Sequence, residues 1–190
     1  MENKILGTNE AEVLVLAYDR FNKIYKEVMD ETFWTNNPYF RLSKIKDCFS
    51  IYTEIIKFKD FKEAMKIKLE DHSLGKTTAM QLLEIVRHIL IHFPFFDSWK
   101  GVYFNKSMIT WLPQHKKIDN FFSDHENQIN YVYRIKRNDK VEAETVIRIP
   151  KNYTKGTNIF LNNILNEKDG IRISMVYMKK ILRSLTKNIQ

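Results

Sequence analysis

Apolar residues recur at intervals of three and four positions over most of the first hundred residues, which is the spacing of one face of an α-helix. The first such segment follows Thr8 and Asn9, either of which can cap a helix. The face predicted to be buried comprises Val13, Leu16, Phe21, Ile24 and Val28. The sequence therefore predicts a first helix of several turns, ending before the break TNNP.

A second helical pattern runs from Tyr39 to about Lys68, with a bend possible near the sequence FKDF. Asn37 is its expected cap and Pro38 its first helical residue, because proline lacks the amide hydrogen that the first turn leaves unpaired. A third helix is predicted over TTAMQLLEIVRHILIHF. It ends before Pro94, since the residue before a proline is disfavoured in the helical conformation.

The pattern changes after Trp99. GVYFN predicts a short strand, KKIDNFFSDHE a short helix, and INYVYRIKRNDKVEAETVIRIP a β-hairpin that turns near Asn138 and Asp139. NIFLNNILNEKDG and ISMVYMKKILRSL predict two closing helices. We predict a mainly α fold, a helical bundle with a small β-hairpin insertion and C-terminal helices. It forms a single domain over residues 1–190, with a helical core (8–99), a strand, helix and hairpin element (100–153) and C-terminal helices (154–190).

Composition supports helices and adds a charge imbalance. The chain has 190 residues, only 5 glycines and 4 prolines, and a formal net charge of +8. Such an excess favours a polyanionic partner, although a generally lysine-rich surface explains it as well. The single cysteine, Cys48, is predicted to be a core residue and cannot form an internal disulfide. No signal-like or membrane-spanning apolar run is visible, so we expect a cytoplasmic protein with no membrane contact.

The third helix carries an unusual polar set, RHILIH, within apolar surroundings. His88 and His92 are four residues apart and share one helix face, whereas Arg87 and His92 are about 140° apart around the axis. One interpretation is a metal half-site formed by the two histidines, but no HExxH context supplies further ligands. A second is structural, with the histidines bonded at the helix end and Arg87 paired with Glu84 or Asp97.

The third interpretation is cleavage of RNA without a metal. A histidine with a pKa near neutrality can take the proton of a ribose 2′-hydroxyl, and a guanidinium can stabilise the charge that develops on the phosphate. Arg87-His88-Ile89-Leu90-Ile91-His92 resembles the R-x(4–6)-H motif of the HEPN superfamily. The resemblance covers residues 8–99, and the hairpin and the C-terminal helices depart from the minimal family pattern.

The resemblance to HEPN proteins implies an all-α bundle with the motif on one helix and a homodimer in which two motifs face each other. It also implies a metal-independent endoribonuclease that needs no cofactor and acts as a toxin or in defence against phage, controlled by an antitoxin or another regulatory protein. By this resemblance, Arg87 contacts the scissile phosphate, His92 is the general base or acid, and His88 orients or assists. The alternative is a non-catalytic HEPN-like module that binds RNA or protein.

The hairpin is a second candidate site for RNA. Aromatic side chains can stack on unpaired bases while neighbouring cations bind the phosphates. An exposed hairpin face explains the same composition equally well. The residues concerned are Tyr131, Tyr133, Arg134, Lys136 and Arg137.

Overall fold

The protein is represented by a computed structural model that describes residues 8–58, 74–126, 131–137 and 140–186. The long helices are α1 (Thr8–Met29), α2 (Pro38–Lys57), α3 (Leu74–His92) and α7 (Lys168–Thr186). The shorter helices are α4 (Lys106–Ile109), α5 (His115–Asp124) and α6 (Leu161–Ile164). The strands are β1 (Tyr103–Phe104), β2 (Tyr131–Arg137), β3 (Lys140–Ile147) and β4 (Ile159–Phe160). The predicted mainly α fold is confirmed.

The helices α1 and α2 form an antiparallel pair. Lys44 of α2 binds Glu27 of α1 at 2.8 Å, and one turn further along α2 Asp47 lies 3.7 Å from Arg20. Helix α3 packs against α2, while α7 contacts α1, α2 and strand β3. The C-terminal helix therefore packs directly on the N-terminal helices. Among the described helices, none combines the length and apolar character needed to cross a bilayer.

The helix boundaries follow the sequence signals at two points. The Asn37 side chain accepts a hydrogen bond of 2.8 Å from the amide of Tyr39, and Pro38 is the first residue of α2. Helix α3 ends at His92, and the amide of Phe93 still donates to the carbonyl of Ile89 at 3.0 Å. Both ends are as predicted. Helix α2 ends at Lys57, and the predicted extension to Lys68 lies outside the described residues.

The predicted buried face of α1 is wrong in its first turns. Val13 is 53% exposed and Leu16 69% exposed, whereas Leu14 is buried together with Phe21 and Ile24. The sequence places apolar residues on several sides of this helix, but only the side that faces α2 and α7 can be covered. The first turns of α1 thus keep apolar side chains in solvent.

The first predicted closing helix, NIFLNNILNEKDG, is not one continuous helix in the structure. Ile159 and Phe160 form β4, which pairs antiparallel with Tyr103 and Phe104 of β1, and only then does the short helix α6 begin. Directly after β4, the amide of Leu161 donates a hydrogen bond of 2.9 Å to the carbonyl of Val102, which directly precedes β1. Pairing with a distant strand therefore overrides the local helical pattern in this segment. The predicted strand GVYFN, the helix at KKIDNFFSDHE and the pairing of the two hairpin strands are confirmed. The turn predicted near Asn138 and Asp139 lies outside the described residues.

A contiguous apolar core extends from Leu14 to Leu182. Trp99 is fully buried within it, and its indole nitrogen donates a hydrogen bond of 2.8 Å to the carbonyl of Leu165. Cys48 is also fully buried, and burial raises the pKa of its thiol. The cysteine is a core residue, as predicted, and not a reactive thiolate.

Candidate functional site

Helix α3 is largely buried from Leu82 to Leu90, and Arg87 lies on the side that faces α2. Its side chain is 15% exposed, and its terminal nitrogen Nη2 binds the carboxylate of Glu54 at 2.6 Å. Glu54 also accepts a hydrogen bond of 3.0 Å from Lys57 in the next turn of α2. Glu54 is itself 56% exposed, so this ion pair lies where the α2–α3 groove meets solvent.

The partner of Arg87 differs from the two acids suggested by the sequence. Glu84 binds Lys117 of α5 at 2.6 Å, and Asp97 is exposed in the loop that follows α3. The packing of α2 on α3 brings Glu54 to Arg87 across 33 positions of sequence. No local spacing rule could have identified Glu54, Lys57 or Lys117 as neighbours of the motif.

His88 lies deeper in the protein than a surface histidine. It is 8% exposed, and its ring nitrogen Nδ1 is buried with no hydrogen-bond partner among the described residues. Burial lowers the pKa of His88 below its ordinary value, and the positive charge of Arg87 lowers it further. The imidazole is therefore neutral at pH 7 and can exchange a hydrogen bond with a ligand without carrying charge.

His92 is exposed at the last turn of α3 and stacks on His88. The two rings are nearly parallel, with an interplanar angle of 15° and centroids 6.0 Å apart. The expected i, i+4 relation between the two histidines is confirmed by this contact. In the described part of the chain, no group of three or more His, Cys, Asp or Glu residues could hold a metal ion.

Arg87 and His92 point to different surroundings, in line with their angular separation. Arg87 reaches Glu54 across the α2–α3 interface, whereas His92 is in solvent. Within the ranges that the structure describes, no hydrogen bond joins the two side chains. His88 lies between the two in its interactions, because its ring stacks on His92 and the charge of Arg87 lowers its pKa.

Two polar atoms at this site are buried and unsatisfied. Besides His88 Nδ1, the Nε atom of Arg87 has no hydrogen-bond partner among the described residues. An unpaired buried donor or acceptor costs roughly 1–3 kcal/mol, so its presence calls for an explanation such as a ligand or a catalytic role. The arrangement provides a fixed cation, a neutral imidazole and an exposed imidazole within two turns of one helix.

The described surface also has cavities, one beside the motif helix and one away from it. A small one, of about 60 Å³, lies beside the end of α3 and includes Lys46, Phe93 and Phe96 in its wall. A larger open groove of about 650 Å³ lies between β3 and α6, and no residue of the RHILIH motif lines it. Arg148 and three asparagines give this groove a polar lining.

The hairpin candidates are only partly described. Tyr131, Tyr133, Arg134, Lys136 and Arg137 all lie on β2, which pairs antiparallel with β3. The register of the strand pair shifts between Ile135 and Lys136. The side chains of the five candidate residues lie outside the part that the structure describes. The hairpin itself is confirmed, and its role in binding RNA stays a prediction.

Comparison with known proteins identifies no relative. No protein-family profile, no curated protein sequence and no solved structure matches the chain.

Proposed function

We propose that the protein is a metal-independent endoribonuclease of the HEPN type that cuts RNA by attack of the ribose 2′-hydroxyl. The observation that carries the proposal is the pair of buried, unsatisfied atoms, Arg87 Nε and His88 Nδ1, beside the exposed ring of His92. These groups match the needs of the reaction. A guanidinium stabilises the charged transition state, and imidazoles move the protons.

In this mechanism His92 takes the proton from the 2′-hydroxyl, whose oxygen attacks the adjacent phosphorus. The bond from phosphorus to the 5′-oxygen breaks, the leaving oxygen takes a proton from water, and the products are a 2′,3′-cyclic phosphate and a 5′-hydroxyl. Arg87 contacts a non-bridging phosphate oxygen. His88, neutral because burial lowers its pKa, orients His92 or the phosphate through hydrogen bonds.

The biological setting belongs to the proposal as well. We propose a cytoplasmic enzyme that acts as a toxin or as an effector of phage defence and is a homodimer with the motif at its interface. Uncontrolled cleavage of RNA harms the cell, so such an enzyme requires an antitoxin or another regulatory protein. The net charge of +8 suits an RNA substrate, because cations near the site attract and hold the phosphate backbone.

One observation favours a second function, that of a non-catalytic module that binds RNA or protein. Arg87 is already paired with Glu54 at 2.6 Å, and a guanidinium neutralised in this way can serve the fold alone. The motif would then hold α3 against α2. The two functions differ in what happens to bound RNA.

The test is an RNA cleavage assay in the presence of EDTA. Wild-type protein should cut single-stranded RNA and leave a 2′,3′-cyclic phosphate, while RNA with 2′-deoxyribose at the cleaved position stays intact. His92→Gln should lower the rate by at least about 100-fold, the typical range for lost acid–base catalysis. Arg87→Lys should lower it by a similar factor, because lysine lacks the planar pair of donors.

Two matched controls separate chemistry from general damage. His115→Gln changes a histidine that contacts the carbonyl of Leu112, and Arg20→Lys changes an exposed arginine paired with Asp47. Both should cut at the wild-type rate. RNA that is bound but not cut, by wild type and motif variants alike, would establish the binding module instead.

A further inference from the structure

The loop after α3 presents a row of contacting aromatic rings that the proposed chemistry does not use. We call Phe95, Phe96, Tyr103 and Phe160 the aromatic strip. Successive centroids are 4.7 Å apart from Phe95 to Phe96, 5.6 Å from Phe96 to Tyr103 and 5.8 Å from Tyr103 to Phe160. Phe93, the residue after His92, contacts Phe95 at 5.9 Å and so joins the strip to the motif.

The two ends of the strip are open to solvent, although the middle is packed. Phe95 is 63% exposed and Phe160 41% exposed, while Phe96 is only 9% exposed. Burying a phenylalanine side chain stabilises a folded protein, so two rings left in water forgo that gain. Exposed rings that already contact a rigid row are ready to stack on another flat group.

The strip is held in place by the surrounding fold. Phe160 of β4 pairs with Tyr103 of β1, and β1 follows the turn that contains the buried Trp99. Pro94 fixes the start of the loop directly after α3. The rings therefore do not need to be ordered when a ligand binds, which reduces the entropic cost of association.

The charges around the strip indicate what it binds. Lys46 lines the small cavity beside Phe93 and Phe96, and Lys100 is exposed in the turn before β1. Within the described ranges, neither lysine forms an ion pair. Asp97 is an acid in the same loop as Lys100, and Lys46 lies nearby on α2, in a chain with a net charge of +8. Aromatic faces with neighbouring cations suit single-stranded nucleic acid.

We infer that the aromatic strip is a subsite for single-stranded RNA, in which Phe95 and Phe160 stack on unpaired bases next to the phosphate held at the motif. This inference rests on the proposed function, because it takes the same RNA as ligand. Along the strip, the two exposed rings are separated by the nearly buried Phe96 and the half-buried Tyr103. That separation fits individual bases better than the continuous apolar centre of a protein interface.

The test measures binding to RNA that cannot be cut. The probe is a short, fluorescently labelled RNA with 2′-O-methyl groups throughout, which removes the attacking hydroxyl. Phe95→Leu and Phe160→Leu keep apolar volume but remove the ring. Each should weaken binding by about five-fold or more, because stacking on one base contributes at least about 1 kcal/mol. Phe95→Trp should bind as tightly as wild type, since it restores a ring.

Trp111 provides the matched control. It is 82% exposed and makes no ring contact with the strip in the described part of the chain, so Trp111→Leu should leave binding unchanged. A duplex of the same sequence, whose base faces are covered, should bind both leucine variants as it binds wild type. Unchanged binding of the single strand in both leucine variants overturns the inference. A changed sedimentation coefficient of the leucine variants without a change in RNA binding also overturns it, because the strip would then be a contact between protein copies.

The failure of this subsite and the failure of the proposed function give different results. If wild type cuts ordinary RNA and the leucine variants bind and cut as wild type does, the subsite is absent and the nuclease stands. If binding depends on Phe95 and Phe160 but no RNA is cut, the subsite stands and the nuclease is absent.

Discussion

The depressed pKa of His88 links the stability of the protein to pH. Burial and the charge of Arg87 both oppose protonation of His88 in the folded state, whereas the unfolded chain binds the proton with an ordinary pKa. As pH falls below that ordinary value, the unfolded state takes up more protons than the native state. Folding is therefore favoured above neutral pH and weakened on acidification.

Replacing His88 with glutamine should remove this part of the pH dependence. Between about pH 7.5 and pH 5.5, the free energy of unfolding of wild type should fall more steeply than that of His88→Gln. Urea denaturation at a series of pH values measures both slopes. His125→Gln is the control, because this half-buried histidine already bonds the carbonyl of Phe121 at 2.8 Å. Equal slopes for wild type and His88→Gln would contradict the expectation.

Glu54 is the residue with which a substrate phosphate must compete. Its carboxylate occupies the Nη2 atom of Arg87 at 2.6 Å, and both a carboxylate and a phosphate bind a guanidinium through the same donors. Glu54→Gln removes the competing charge but keeps the size of the side chain. We expect this variant to bind uncleavable RNA several-fold more tightly at low salt and to lose that gain as salt screens the charges.

A charge-matched variant shows whether the effect is local. Glu27→Gln removes the same charge from α1, where it pairs with Lys44 at 2.8 Å away from the motif. Tighter binding in Glu54→Gln alone supports competition at Arg87. Equal gains in both variants would reduce the effect to net charge, and weaker binding in Glu54→Gln would show that Glu54 positions Arg87 for the ligand.

At the scale of the elements, Arg41 of α2 and Glu167, the residue before α7, form an ion pair with little solvent access. The Nε atom of Arg41 binds Glu167 at 2.8 Å, with the two side chains 15% and 10% exposed. The same guanidinium donates to the backbone carbonyls of Trp34 and Asn36. Arg41 therefore fixes the start of α2, the preceding turn and the residue before α7 in one arrangement.

Removing Arg41 should destabilise the protein strongly. Arg41→Ala leaves the carboxylate of Glu167 buried without its partner, and such a loss costs about 3–5 kcal/mol. Arg20→Ala breaks an exposed pair with Asp47 and should cost no more than about 1 kcal/mol. Chemical denaturation of both variants measures the difference. Similar losses in the two would show that the Arg41–Glu167 contact is not a significant part of the stability.

The sequence predicts elements well where their signals are local. The cap at Asn37 with Pro38, the end of α3 before Pro94 and the two-stranded hairpin all follow from residues next to one another. Predictions fail where a distant partner decides the outcome. Strand β4 forms because β1 is available to pair with it, and Val13 is exposed because none of the described elements covers that side of α1.

The same limit applies to the candidate site. The sequence places Arg87, His88 and His92 on one helix and predicts the contact between the two histidines, because helical spacing is local. It cannot predict that Glu54 pairs with Arg87 or that His88 is buried, since both depend on how α2 and α3 pack. The pKa of His88 and the competition at Arg87 follow only from the tertiary structure.

At the scale of the whole molecule, the geometry of α3 favours the proposed dimer, in which two copies of the chain would share the reaction site. Arg87 faces α2 and His92 faces solvent, and positions five residues apart on one helix differ by about 140°. One motif therefore directs its cation and its exposed imidazole to different places. In a two-fold dimer with facing motifs, Arg87 of one protomer and His92 of the other can meet at one phosphate.

Mixed dimers test this arrangement. Arg87→Ala and His92→Ala chains with different affinity tags are co-expressed, and dimers that carry both tags are purified. Each homodimer should be inactive. The mixed dimer should have about half of the wild-type activity, because one of its two shared sites combines the intact Arg87 of one chain with the intact His92 of the other. If each site were built within one protomer, no intact site would remain and the mixed dimer would be inactive.

A protein that sediments as a monomer while cutting RNA would likewise contradict the shared site, and the unpaired nitrogens of Arg87 and His88 would then have to serve a site formed by α3 alone.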